Sequence, residues 1–254
     1  MPRSEKTITR EVPTSSLTKE QFDAIWSVYS PYHERDRAEF ERTLCLNHKV
    51  LMFHDAQTEA LQGFLAVSVF DVQEEERSFV ILYFGTLVIH SGFRGQNIVQ
   101  NMVLREYLGI RRRYGFRKIY FIFSSLSYMS YLAMSHTFLE YWPRREQPTP
   151  QYAQEVLTYL IEQIFKGKYD PSGVSQGTGQ KRVTDQKVTG TETNLDPQLA
   201  FYLKNNPGHQ HGDCLMCFIP LYELNILTLI FKRHVQRPLK KLYKNLFQSG
   251  TAKE

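Results

Sequence analysis

The chain has 254 residues, 42% of them hydrophobic, with three cysteines and a formal net charge of +5. That length buries the core of one large domain or two small ones, and the odd cysteine count argues against a disulfide framework and for a reducing compartment. The small positive excess assists capture of an anion without indicating nucleic acid, and no run approaches the roughly 18–20 apolar residues of a membrane span, so the protein is expected in the cytoplasm.

In chain order, residues 7–12 read as a short edge strand. Ser16 or Thr18 caps a helix whose apolar positions Phe22, Ile25, Trp26 and Tyr29 recur at helical spacing until Pro31. A charged amphipathic helix is expected over 34–46, with Phe40, Leu44 and Cys45 inward. A strand pair, 50–54 and 61–70, follows, and the acidic connection 71–78 reads as a solvated hairpin tip. From Phe79 to Ile89 almost every side chain is apolar, as in a central strand covered on both faces. Gly85 interrupts it, and a glycine within a strand marks a bulge or a close backbone approach. The chain then turns through His90 to Asn97 and opens a helix with apolar spacing to about Tyr114. The free N–H groups at that helix start, its dipole and the adjacent Arg94 favour a dianion. Arg111, Arg112 and Arg113 complement the C-terminal dipole, and Gly115 stops the helix.

The segment LVIHSGFRGQNIV resembles the signature of the GNAT acyltransferase superfamily, in which a strand ending in V-x-P precedes R/Q-x-x-G-x-G/A. The resemblance covers residues 7 to 140. It implies a mixed α/β fold with a mostly antiparallel central sheet, a splayed parallel strand pair, and helices on both faces. It also implies an acyl-CoA co-substrate, with no tightly bound cofactor, held by the backbone of Leu87, Val88 and Ile89 and by the turn Arg94, Gly95, Gln96, Asn97, Ile98 and Val99. Asn97 and Val99 stand where the family keeps glycine or another small residue. Asn tolerates the left-handed conformation, but the branched Val99 opposes close approach of the phosphates and leaves an acyl-carrier-protein donor open.

Residues 116–123 read as the next strand, parallel to the central one. After it, Ser124, Ser127 and Tyr131 match the spacing of the family's N-x-x-A-x-x-x-Y. The resemblance implies that Tyr131 protonates the departing thiolate, whereas the residues alone equally allow a core aromatic. The central strand carries no carboxylate to take the acceptor's proton. His90 is the nearest titratable group, either as base or as a structural residue before the turn, and Glu140, Asp213 and Glu223 are further candidates.

Residues 7–145 are therefore expected to form a donor-binding core, and 146–254 an elaboration completing the same domain. The elaboration comprises a helix over 151–165, a long mobile loop at about 170–194, a short helix over 197–204, a strand over 213–221 and a last helix over 224–246. His209, His211, Cys214 and Cys217 have zinc-ligand chemistry, but Cys214 and Cys217 fall three apart on a strand and face opposite ways, so no metal site is expected. The basic stretch 232–244 follows the apolar half of the last helix rather than facing it, which favours packing over membrane contact. The three apolar segments of the elaboration either wall a tunnel for a long acyl chain, together with Tyr83, Phe84, Phe121 and Phe123, or close a solid core. Two functions stay open: acyl transfer from a thioester donor to an amine of a small molecule or peptide, and a ligand- or protein-binding module of the same fold without catalysis.

Overall fold

A computed structural model describes residues 7–75, 77–94, 96–170, 172–175, 181–182 and 196–232. Its elements are β1 (Thr7–Pro13), α1 (Lys19–Tyr29), β2 (His33–Glu34), α2 (Arg37–Leu44), β3 (Lys49–Asp55), β4 (Leu61–Glu74) and β5 (Arg77–Ile89). There follow α3 (Ile98–Tyr114), β6 (Lys118–Ser125), α4 (Tyr128–Ser135), α5 (Gln151–Thr158), β7 (Val174–Ser175), β8 (Lys181–Arg182), α6 (Pro197–Asn205), β9 (Cys214–Pro220) and α7 (Glu223–Phe231). Helix starts obey local chemistry: Thr18 and Gln21 form a reciprocal capping box on α1, and the Asp36 carboxylate accepts the Glu39 amide on α2.

The main sheet runs β1-β3-β4-β5-β6-β9-β7. Every neighbouring pair is antiparallel except β5 and β6, which are parallel and joined by α3. One face buries Leu51, Leu65, Leu82, Phe121 and Ile219 under α3, α4, α6 and α7. The other packs Val50, Phe64 and Val88 against α1 and α2, and Phe79, Ile81, Ile122 and Phe218 against α5. The mixed, mostly antiparallel sheet with helices on both faces is thus present, and β9 brings residues beyond 146 into the same sheet. Among the described residues, no helix is long and apolar enough to cross a membrane.

Two expectations need correction, and one pair of alternatives narrows. The acidic connection is shorter than its composition indicated: β4 and β5 pair out to Glu74 and Arg77, with Val72 buried between exposed Asp71 and Gln73. The helix expected over 151–165 is α-helical only to Thr158 and continues as a π-turn, Tyr159–Ile164. That widening sets Phe165 edge-on against Tyr83 and Phe70. The apolar segments of the elaboration supply core residues such as Leu157, Leu160, Phe218, Ile226 and Leu229 and do not line the cavity described below, so they form no tunnel wall there. The expected loop at about 170–194 lies largely outside the described residues, as does the last helix beyond 232.

Candidate active site

Gly85 marks a bulge, as its place in the strand indicated. Leu65 pairs with Leu87 and Val67 with Phe84, so Gly85 and Thr86 together oppose Ala66 alone. A Cβ at Gly85 would lie 2.7 Å from Asn47 Oδ1, and the Asn47 amide is itself fastened to the carbonyls of Thr43 and Leu44. The bulge re-aims the strand at the point where pairing with β6 stops. The parallel register runs from Phe79↔Lys118 to Phe84↔Phe123 and no further, while β6 continues along β9 to Ser125↔Leu215. Beyond Phe84, β5 thus has no strand partner on its β6 side among the described residues.

A cavity of about 440 Å³ opens in this gap. Its floor is β5 from Phe84 to Ile89, one wall is the start of α3 from Gln96 to Gln100, and the opposite wall is Leu126 and the α4 side chains Ser130, Ala133 and Met134. Tyr32 and His33, between α1 and α2, close one side. The lining is largely apolar, and among the described residues its one cation other than histidine is Arg94 and it contains no Asp or Glu.

Most residues named from the sequence for donor binding meet here: Leu87, Val88, Ile89, Arg94, Gln96, Asn97, Ile98 and Val99 all line the cavity. Gly95 lies outside the described residues. Asn97 holds the left-handed conformation, φ 59° and ψ 23°, immediately before the first helical residue. The amides that begin α3 have no carbonyl one turn back to bond, as at any helix start. Arg94 is exposed, donates through Nε to the Ile89 carbonyl at 3.0 Å, and spreads its guanidinium over the Tyr32 ring. That hydrogen bond folds the turn back on the strand end, with Arg94 part of the cavity lining.

The two catalytic assignments do not meet at the cavity. Tyr131 is fully buried. Its hydroxyl donates toward the Pro143 carbonyl at 3.1 Å and Gln198 Oε1 at 3.3 Å, and its ring packs between Phe201, Tyr202 and Tyr141. Burial raises its phenol above the ordinary tyrosine value. The cause is rotation about α4: Ser130, Ala133, Met134 and Thr137 form the cavity stripe, and Tyr131 is one step round the helix, under α6. His90 is absent from the cavity lining and accepts or donates at Nδ1 with the Tyr32 hydroxyl, 2.9 Å away. It is five to six residues beyond the parting point of β5 and β6, which at about 3.3 Å per residue is some 17–20 Å. Its role in this geometry is to hold Tyr32 beside Arg94. Glu140 is held by the hydroxyls of Tyr152 and Tyr222, and none of Glu140, Asp213 and Glu223 lines the cavity.

Sequence reasoning did not single out Tyr32, His33 or the α4 stripe. The stripe was readable as small and flexible residues three and four apart, Ser130, Ala133, Met134 and Thr137. At the parting point, Ser124 lines the cavity and is a neighbour of the Tyr83 hydroxyl. Burial raises the Tyr83 phenol, with Ser124 offsetting part of the effect. Among the described residues no group of three or more His, Cys, Asp and Glu is gathered as metal ligands. His209 Nδ1 is engaged with the Asn206 carbonyl, and Cys217 is buried in the core.

No family model and no curated protein matches the chain. Among solved structures it is similar to the NatC complex bound to Gag peptide and CoA, at 13% identity over 58% of this chain and 92% of that one, TM-score 0.38. An acyl-CoA N-acyltransferase from Pseudomonas aeruginosa is similar at 17% identity over 52% and 88%, TM-score 0.35. An aminoglycoside N-acetyltransferase in complex with CoA is similar at 11% identity over 59% and 99%, TM-score 0.39. The chain's own strand order contains one parallel pair, β5 and β6, which parts part-way along β5.

Proposed function

We propose that this chain transfers an acyl group from a coenzyme A thioester to an amine. The carrying observation is the parting of β5 and β6 after Phe84, which leaves a strand row from Leu87 to Ile89 facing an apolar cavity that ends at the start of α3. An extended amide-containing arm fits such a gap by pairing with the strand, and a pyrophosphate fits the first amides of α3 beside Arg94. In the reaction the neutral amine nitrogen attacks the thioester carbonyl carbon, the C–N bond forms as the C–S bond breaks, the nitrogen gives up one proton to solvent, and the sulfur leaves as a thiol once it gains one. We assign that proton to Ser124, which lines the cavity, backed by the neighbouring Tyr83 hydroxyl, which lies behind it on the α5 side and stays protonated at neutral pH. The acceptor is a small molecule or a peptide.

The test is calorimetric titration of the chain with coenzyme A, acetyl-CoA and longer acyl-CoAs, followed by turnover with a panel of amines. Failure to bind any of these donors removes the proposal and leaves a carrier-protein donor. That no carboxylate lines the cavity among the described residues favours a second reading, in which the chain binds the donor without turning it over. That reading predicts coenzyme A affinity with no product from any amine.

Two variants test the donor geometry. Arg94→Ala is expected to weaken coenzyme A binding by about 1.5–3 kcal/mol, the worth of a charge-assisted hydrogen bond, with little change in melting temperature because the side chain is exposed. Unchanged affinity takes Arg94 out of the site. Ala133→Trp puts an indole into the cavity from an exposed position on α4, and is expected to weaken binding about 10- to 100-fold with the fold intact. Undiminished binding would show that the donor does not run along α4.

A further inference from the structure

The loop between α1 and α2 contains a cation that the fold leaves incomplete. The Arg35 side chain is 5% exposed. Its Nη2 serves Glu39 Oε1 at 2.9 Å and Thr43 Oγ1 at 3.0 Å, so both hydrogens on that nitrogen are used. Among the described residues Nε and Nη1 are buried with no hydrogen-bond partner, which leaves three of the five guanidinium donors unmet there. The Tyr29 hydroxyl lies close to the guanidinium but outside bonding geometry, and it too is buried without a partner. Burial raises the Tyr29 phenol to about 12, Arg35 offsetting part of the effect, so it is a donor at neutral pH. Buried donors of this kind are rare in folded proteins because each costs about 1–3 kcal/mol, and more when charged. One half-exposed carboxylate, Glu39, does not meet that demand.

The position of the cluster indicates what completes it. Tyr29 stacks on His33, centroids 4.5 Å apart and planes 11° apart, and His33 lines the donor cavity. Tyr29 is also within electrostatic range of Cys214, at the start of β9. Arg35 and Tyr29 therefore lie on the α1–α2 face of the sheet, behind His33 rather than in the cavity lining itself, whereas α3, whose start would take the donor's phosphates, packs on the opposite face. We propose that Arg35 and Tyr29 bind a carboxylate of the acyl acceptor, so that the acceptor is an amino acid or another amine bearing a carboxylate. A carboxylate accepts several hydrogen bonds and carries the charge a buried guanidinium requires, whereas an amide or hydroxyl group supplies fewer acceptors and no charge. The inference rests on the acyl-transfer reading for the word acceptor, but the anion site is measurable without it.

The experiment is calorimetric titration of the full chain, with and without saturating coenzyme A, using leucine, phenylalanine and glutamate, each against its own α-amide. The free acids are expected to bind about 10- to 100-fold more tightly than the amides. Arg35→Met should abolish that preference while leaving coenzyme A affinity unchanged, and Arg35→Lys, which keeps the charge but loses the planar donors, serves if the methionine variant does not fold. Equal binding of acid and amide by the native chain, no binding of either, or a preference that persists in the variant overturns the proposal. Loss of the acyl-transfer reading has a different signature, namely no coenzyme A binding by the native chain.

Discussion

Replacing Tyr131 by alanine is expected to destabilise the protein by about 3–5 kcal/mol, the usual cost of emptying a fully buried aromatic site. The ring is enclosed by Tyr141, Phe201 and Tyr202, so the cavity left behind has no route to collapse without moving α6. Tyr131→Phe isolates the hydroxyl. It removes the hydrogen bonds to the Pro143 carbonyl and Gln198 and should cost about 0.5–1.5 kcal/mol while leaving turnover within a few-fold of the native rate. Chemical denaturation and steady-state turnover on the same preparations check both variants. A collapse of turnover in Tyr131→Phe at native stability would restore Tyr131 to catalysis.

Tyr83→Phe carries the opposite expectation. Tyr83 sits in the last stretch of β5 paired with β6, one residue before Phe84, with its ring against Phe165 and its hydroxyl near Ser124. If that hydroxyl gives the departing sulfur its proton, turnover falls roughly 10²- to 10⁴-fold while the coenzyme A dissociation constant is little changed. Single-turnover kinetics with acetyl-CoA separate the chemical step from product release. A variant with the native chemical rate would move the proton to Ser124 or to water.

The contrast between these tyrosines shows what the sequence could and could not tell. The shape of the turn before α3 was legible because its evidence is local: a strand, a glycine that makes a bulge, a turn through Asn97 in the left-handed conformation, and a helix start within twenty residues. The sheet was legible for the same reason, since each strand's apolar pattern states which of its faces is buried. Tyr131 was misplaced because its environment comes from Phe201 and Tyr202, seventy residues on, and α6 occupies the side of α4 that the spacing of Ser124, Ser127 and Tyr131 seemed to aim at a ligand. Arg35 was passed over for a related reason. In the sequence it is one charge in a charged helix start, and only burial by α1 and α2 distinguishes it from Arg37, whose side chain is 42% exposed.

The parting of β5 and β6 also bears on how this sheet avoids joining other sheets. A row of unsatisfied main-chain groups normally belongs to the rim, where it invites a second molecule to add a strand and begin an aggregate. Here the rim is blunted, by β7 with two residues and by β1 with Arg10 and Glu11 along it, and the open row lies at the centre. Walls formed by α3, α4 and the Tyr32–His33 loop leave that row a slot rather than a margin. Another folded sheet cannot enter it, but a single thin, flexible chain with amides of its own can, so the shape that admits a ligand also keeps out a second copy of the protein.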